Sequence, residues 1–138
     1  MPSEFELIEQ IKKWIPRNLQ GAIGIGDDAA VIDTAPGEQW VVSTDTLVEG
    51  IDFHLFSKKN KLGFLPAELA GRKALAVNLS DLAAMAAKPK ACVISLGLPK
   101  GISTLWLKKF YSGLVGLARE FKVLCAGGDL SQSPTFFV

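Results

Sequence analysis

The sequence lacks an excess of charge of either sign. Fifteen lysine and arginine residues face fourteen aspartate and glutamate residues, so the formal net charge is only +1. Proteins that bind nucleic acids or anionic membranes through charge carry a basic excess or a basic face. The balance therefore predicts that neither a nucleic acid nor a membrane is a partner.

A long uninterrupted hydrophobic run is missing as well. The most apolar long segment, ALAVNLSDLAAMAA, contains Asn78, Ser80 and Asp81. A transmembrane helix needs about 20 mostly apolar residues, and charged groups inside it are costly. The amino-terminal stretch MPSEFELIEQIKKW carries acidic residues where a signal peptide has a basic region. These patterns predict neither a membrane span nor a signal peptide.

Cysteine is scarce. Cys92 and Cys125 both lie inside apolar runs, and neither belongs to a C-x-x-C motif. Disulfide scaffolds and cysteine-based zinc sites need more cysteines at closer spacing. We therefore expect two buried thiols in a protein of the reducing cytoplasm.

The chain does have the material for a hydrophobic core. It has 138 residues, of which 49% are hydrophobic and 21% are charged. This length and composition are typical of one globular domain of mixed α/β class. We expect a single domain over residues 1–138.

The first half of the chain shows one helix and two strands. Ser3 and Glu6 have the spacing of a capping box ahead of a short amphipathic helix. Residues 29–33 and 39–45 then have the composition of strands, and a proline-glycine pair lies between them. The pattern predicts a β-hairpin.

The second half alternates helices and strands. Pro66 precedes an alanine-rich helix that ends near Pro89, and Ser103 caps another helix. The runs ACVISLGL and VLCAGGDLS are strands, the latter breaking into a glycine turn, and a further strand begins at TFFV. We predict an α/β fold with a mixed sheet of about four to five strands, covered on one face by two long helices.

Several aspartates occur in or beside apolar segments. They are Asp28, Asp45, Asp81 and Asp129. Burial of an unpaired carboxylate is costly, and Mg²⁺ prefers oxygen ligands that connect it to substrate phosphates. The hydroxyls of Ser43 and Thr44 add oxygen donors beside Asp45. The pattern predicts a magnesium site, with turns, caps or a pairing of Asp81 with Lys73 as the alternative.

The stretch GIGDDA matches the spacing of a dinucleotide-binding fingerprint. No strand of useful length precedes Gly24, and the residues that follow do not continue as a helix, so we reject this interpretation. The sequence also contains no Walker-type G-x-x-x-x-G-K-[ST] motif. Any phosphate chemistry is therefore not of the P-loop kind.

The only histidine, His54, and the only tyrosine, Tyr111, leave two interpretations open. His54 follows the strand that carries the predicted metal ligands, and Tyr111 lies between Phe110 and Ser112 on a helix. Solvation or packing explains each residue as simply as a functional role does.

Four motifs taken together carry a family resemblance. GIGDDAAV, STDTLVEGIDFH, KALAVNLSDLAAMAAKP and GGDLS resemble, in this order and spacing, those of thiamine-monophosphate kinase. Its superfamily includes aminoimidazole ribonucleotide synthetase and selenophosphate synthetase, and its members use ATP without a P-loop. The resemblance implies Mg²⁺-dependent transfer of the ATP γ-phosphoryl group to thiamine monophosphate, giving thiamine diphosphate. The acceptor oxygen is already anionic near neutral pH, so we expect no catalytic nucleophile or base.

The resemblance also implies roles for individual residues. His54 matches the residue that contacts thiamine monophosphate. The positions that match metal ligands are Asp28, Ser43, Thr44, Asp45, Asp81 and Asp129. The positions that match ATP contacts are Tyr111, Gly128 and Asp129.

The resemblance further implies a larger assembly. The family's amino-terminal domain forms a homodimer, and a second α/β domain, which we expect to be absent from this chain, completes the active site. Two alternatives remain open: an isolated dimerisation or phosphate-binding module, and another ATP-using kinase or synthetase of the superfamily. The loop over residues 55–65 is a candidate lid.

Overall fold

The computed structural model describes residues 2–15, 22–55 and 65–138, which contain three helices and five strands. In chain order these are α1 (Glu4–Trp14), β1 (Ala22–Ile23), β2 (Ala30–Ala35), β3 (Glu38–Val42), α2 (Ala67–Ala84), β4 (Ala91–Leu98), α3 (Thr104–Glu120) and β5 (Leu124–Gln132). The predicted α/β class is confirmed. Two compact units divide the chain: Met1–Thr44 with Asp81–Ala87, and Asp45–Ser80 with Lys88–Val138.

The predicted capping box starts α1. The Ser3 hydroxyl accepts a hydrogen bond from the backbone N–H of Glu6, and the Glu6 carboxylate accepts one from the backbone N–H of Ser3. These two bonds satisfy donors that a helix start leaves without partners. The hydrogen bonds to Ser3 lower the pKa of Glu6.

The predicted hairpin forms the first sheet, in the strand order β1-β2-β3. Strands β2 and β3 pair in antiparallel fashion, with Val31 opposite Val41 and Ile32 opposite Trp40. Gly37 has a φ of +81° in the connecting turn, a value that favours glycine over residues with a Cβ. Strand β3 ends earlier than predicted, so Asp45 lies beyond it.

The second sheet pairs β4 with β5 in parallel, as a crossover through α3 requires. Along β4, Cys92 and Ile94 pack towards the core, whereas Val93 between them is 75% exposed. Residues 136–138 bond to Gly97 on one side and to residues 47–49 on the other. The described strands therefore lie in two sheets rather than the single sheet predicted, because the ladder of the hairpin stops at Val42.

Helices α2 and α3 share one hydrophobic core cluster with strands β4 and β5. The most deeply buried large side chains of this unit are Leu96, Phe110, Leu114 and Phe136. A Cβ placed on Gly71 of α2 would overlap the carbonyl oxygen of Phe110, and one on Gly113 of α3 would overlap that of Glu68. The two glycines thus allow the helix backbones to approach closely at their crossing.

Strand β5 differs from the prediction at its glycines. It does not break into a turn there but continues to Gln132, after a register shift opposite Cys92 and Val93. Gly128 lies so close to β4 that a Cβ would overlap the carbonyl oxygen of Ile94, so a glycine is required for the strand to continue. Asp129 is therefore a strand residue opposite Ser95, not a turn residue.

No helix within residues 2–15, 22–55 and 65–138 combines the length and the apolar character needed to cross a membrane.

Candidate functional site

Two of the predicted metal ligands contact each other in the first unit. The Ser43 hydroxyl, just after β3, donates a hydrogen bond of 2.5 Å to the Asp81 carboxylate on α2. Both residues are half-buried. A hydroxyl bonded to a carboxylate at this distance forms a short, charge-assisted hydrogen bond. The pair presents hard oxygen donors of the kind that Mg²⁺ binds.

The acidic turn of the same unit contains Asp27 and Asp28, both exposed. The Asp27 carboxylate accepts a hydrogen bond of 2.9 Å from the backbone N–H of Asp28. The Asp27 side chain therefore supports the turn. Lys12 of α1 reaches this turn: its Nζ would lie 2.8 Å from a Cβ on Gly26. The ammonium group of Lys12 is also held by Glu9 at 2.6 Å. It brings positive charge to the turn that carries both carboxylates.

The segment that carries His54 is anchored in the second unit. His54 is half-buried between Phe53 and Leu55, which are both buried. The carbonyl of His54 accepts a hydrogen bond of 2.8 Å from Leu65, and the N–H of Leu55 donates one of 2.6 Å to the carboxylate of Glu49. The backbone on both sides of the imidazole is therefore fixed.

The glycine-aspartate pair lies on β5 of the same unit. Asp129 is exposed, and its carboxylate accepts a hydrogen bond of 3.1 Å from the hydroxyl of Ser131. Gly128, directly before this carboxylate, is exposed as well. Such an arrangement can place a phosphate and its counterion against a strand.

Tyr111 of α3 is half-buried near Cys125. Burial raises the pKa of Tyr111, and Cys125 adds to the effect. The Sγ atoms of Cys92 and Cys125 are 3.9 Å apart, and burial together with this neighbour raises the pKa of Cys92 to about 11. Both thiols are free, as predicted, but they are half-buried rather than fully buried.

The predicted site residues are distributed over both units. Asp28, Ser43, Thr44 and Asp81 belong to the first unit, and the second contains Asp45, His54, Tyr111, Gly128 and Asp129. Within the described ranges no three histidine, cysteine, aspartate or glutamate side chains are grouped closely enough to hold a metal ion. A hydrogen bond joins two of the predicted residues, Ser43 and Asp81, directly. The donor atoms are oxygens throughout, so the residues fit Mg²⁺ by chemistry.

Comparison with known sequences identifies the family. The sequence profile of AIR synthase related protein, N-terminal domain, matches residues 26–138. The chain belongs to this family. The match begins in the acidic turn and includes every predicted site residue.

Individual relatives are similar over most of the chain. The chain is 43% identical over 110 residues to the thiamine-monophosphate kinase of Synechococcus elongatus. The aligned region covers 80% of this chain and 32% of that protein. The identity to the enzyme of the same name from Buchnera aphidicola is 39% over 134 residues, covering 94% and 38%. The resemblance inferred from the four motifs is confirmed by these matches.

The fold has a close counterpart among solved structures. A structure described as AaThiL complexed with AMPPCP and TMP matches with a TM-score of 0.80 at 30% identity, covering 97% of this chain and 39% of that one. The chain thus spans between 32% and 39% of the length of these three proteins.

The structure adds residues that sequence reasoning missed. Glu49 anchors the His54 segment, and Lys73 donates a hydrogen bond of 2.7 Å to the carbonyl of Asp52 in the same segment. Lys12 approaches the acidic turn. Glu49 belongs to the motif STDTLVEGIDFH, so its position in the sequence could have indicated that it contacts the His54 segment. Lys73 contacts Asp52 and Lys12 approaches Gly26, both distant in sequence, so no local pattern indicated these contacts.

Proposed function

We propose that the chain is the amino-terminal part of an ATP-dependent kinase that phosphorylates thiamine monophosphate to thiamine diphosphate. The observation that carries this proposal is the agreement of nearly the whole fold with the structure complexed with AMPPCP and TMP. AMPPCP is an ATP analogue, so that protein was captured with both reactants of such a transfer represented. The relatives described above carry the corresponding enzyme name.

In this proposal the chain positions the reactants and their counterions and supplies no nucleophile. The acceptor phosphate oxygen is itself anionic, so the main obstacle is repulsion between two anionic reactants. Bound Mg²⁺ would neutralise phosphate charge. The residues that would hold it are Asp28, Ser43, Thr44, Asp45, Asp81 and Asp129. Tyr111 and Gly128 would contact ATP, and His54 would contact thiamine monophosphate.

The proposal includes a homodimer in the cytoplasm. On the first sheet, Ile32 and Trp40 lie opposite each other and are 45% and 67% exposed, and Val42 on the same face is 49% exposed. A contiguous exposed apolar face of this kind is characteristic of a protein–protein interface. A second copy of the chain would cover it. The predicted lid over residues 55–65 falls largely on residues 56–64, outside the described residues.

The proposal requires more protein than this chain provides. The relatives continue well beyond the matched part, and we propose that a second α/β domain completes the active site and that the chain alone is inactive. Here residues 1–138 form the ATP- and magnesium-binding and dimerisation domain.

The deciding experiment is an acceptor screen with the full-length protein. With Mg-ATP we expect thiamine monophosphate to be converted to thiamine diphosphate and ADP in equal amounts. Other phosphate and carboxylate acceptors serve as controls. Activity on one of these, with none on thiamine monophosphate, would contradict the proposal.

A further inference from the structure

The segment from Val48 to Leu55 is held by a small network of charged side chains that the proposed reaction does not use. The Asp52 carboxylate accepts a hydrogen bond of 2.7 Å from the N–H of Val48, and Glu49 accepts one of 2.6 Å from the N–H of Leu55. Each carboxylate thus bonds to the backbone on the opposite side of the turn. Hydrogen bonds from backbone N–H groups to carboxylates are among the stronger ones in proteins.

Lys73 of α2 fastens the same segment to the core. Its ammonium group donates a hydrogen bond of 2.7 Å to the carbonyl of Asp52 and lies 5.9 Å from the ring centroid of Phe53. Phe53 is buried, and its ring lies 6.0 Å from that of Phe136. The backbone N–H of Glu49 also donates a hydrogen bond of 2.9 Å to the carbonyl of Phe136. The base of the segment is therefore part of the packed core.

His54 lies within the segment that this network holds in place. Its neighbours on both sides are buried, its carbonyl is bonded to Leu65, and the N–H that follows it is bonded to Glu49. We propose that Glu49 and Lys73 are positioning residues that fix the backbone of His54 and so set the affinity for the phosphate-ester acceptor. This inference rests on the proposed function, because it takes His54 as the acceptor contact.

The first measurement does not depend on activity. In the full-length protein labelled at histidine Cε1, the resonance that disappears in His54→Ala is that of His54. We expect Glu49→Ala to shift and broaden this resonance, because the imidazole then samples several orientations. Glu49→Gln keeps a carbonyl oxygen that accepts the bond from Leu55, so it should largely restore the original signal. An unchanged resonance in Glu49→Ala overturns the inference.

The second measurement separates positioning from general damage. We expect Glu49→Ala and Lys73→Met each to raise the KM for thiamine monophosphate about tenfold, with the KM for Mg-ATP nearly unchanged. Glu68→Ala is the matched control, since it removes a carboxylate of the same unit that pairs with Lys109 at 3.6 Å. Equal increases in both KM values, or an effect of Glu68→Ala as large as that of Glu49→Ala, count against the inference.

A double-mutant cycle decides whether Glu49 acts through His54. If it does, Glu49→Ala should add little to the KM increase already caused by His54→Ala. Full additivity overturns the inference. A wild-type protein without activity on thiamine monophosphate would instead refute the proposed function, while the resonance of His54 would still report whether Glu49 fixes it.

Discussion

The hydroxyl of Ser43 donates a hydrogen bond of 2.5 Å to the carboxylate of Asp81, which lies 38 residues later in the chain. The bond joins the end of the hairpin to helix α2 and brings together two residues that the motifs place at the metal site. Because a carboxylate that is half-buried needs a donor or a cation, Ser43 satisfies part of that need within the chain. In the proposed function, metal binding and local stability therefore depend on the same pair.

Replacing each member of this pair should have a different effect. Ser43→Ala should lower the free energy of unfolding by about 1–3 kcal/mol, because Asp81 loses a charge-assisted bond. Asp81→Asn keeps an acceptor for Ser43, so it should unfold nearly as the wild type does but lose more than about 100-fold in kinase activity, as expected for a metal ligand. Chemical denaturation and initial rates with Mg-ATP measure the two effects. Full activity in Asp81→Asn would remove Asp81 from the metal site.

The two neighbouring aspartates of the acidic turn should respond unequally to charge reversal. Asp28→Lys should weaken Mn²⁺ binding, measured by electron paramagnetic resonance, at least about tenfold, because it replaces a proposed ligand with a cation. Asp27→Lys removes the bond to the N–H of Asp28 and should have a smaller effect on Mn²⁺ affinity. A larger loss of Mn²⁺ affinity in Asp27→Lys than in Asp28→Lys would make Asp27, not Asp28, the metal ligand.

The helix crossing makes a prediction about stability alone. Gly71→Ala should lower the free energy of unfolding by about 1–3 kcal/mol, because the new methyl group meets the backbone of α3 and the helices must separate. Gly116→Ala is the matched control, since no atom lies within 4 Å of a Cβ there. The free energy of unfolding of Gly116→Ala should rise by up to about 1 kcal/mol, because alanine has a better helix propensity than glycine. Thermal unfolding of both variants tests the crossing.

The exposed face of the hairpin should determine the association state. Trp40→Lys places a charge at the centre of the apolar face formed with Ile32 and Val42 and should shift a dimer towards monomer. Lys13→Glu, on the exposed surface of α1, is a control of opposite charge change. Light scattering over a concentration series measures the result. A dimer that persists unchanged in Trp40→Lys would show that the copies associate elsewhere.

The cysteine pair makes a prediction about pH. With its pKa raised from 9.0 to about 11, Cys92 remains protonated in the folded protein over a range where the unfolded thiol ionises. Its contribution to the free energy of unfolding is therefore complete below about pH 9 and is lost as the pH rises through about 11. At pH 8, disulfide exchange at Cys92 in the Cys125→Ala background should be at least about tenfold slower than for a free thiol. Cys125 is one cause of the raised pKa of Cys92. The exchange rate of Cys92 should therefore be modestly higher in Cys125→Ala than in the wild-type protein.

Local sequence signals predicted most of the secondary structure. Ser3 with Glu6, Pro66 and Ser103 marked helix starts correctly, since caps depend on residues within one turn. The same reasoning placed strand β4 over residues 91–98. It failed at β5, where glycines that usually end a strand continue it, because the close approach of Ile94 on β4 leaves no room for a side chain.

The candidate site, too, was determined partly by the sequence and partly by the tertiary structure. The sequence alone determined which oxygen-bearing residues are available and in which motifs they stand, because these are properties of residue type and spacing. Only the tertiary structure decided that Ser43 bonds to Asp81, that Glu49 accepts a hydrogen bond from Leu55 and Lys73 donates one to the carbonyl of Asp52, and that Lys12 reaches Gly26. Three of these contacts join residues on different elements, and such contacts follow from the packing of the unit as a whole rather than from the pattern around either residue.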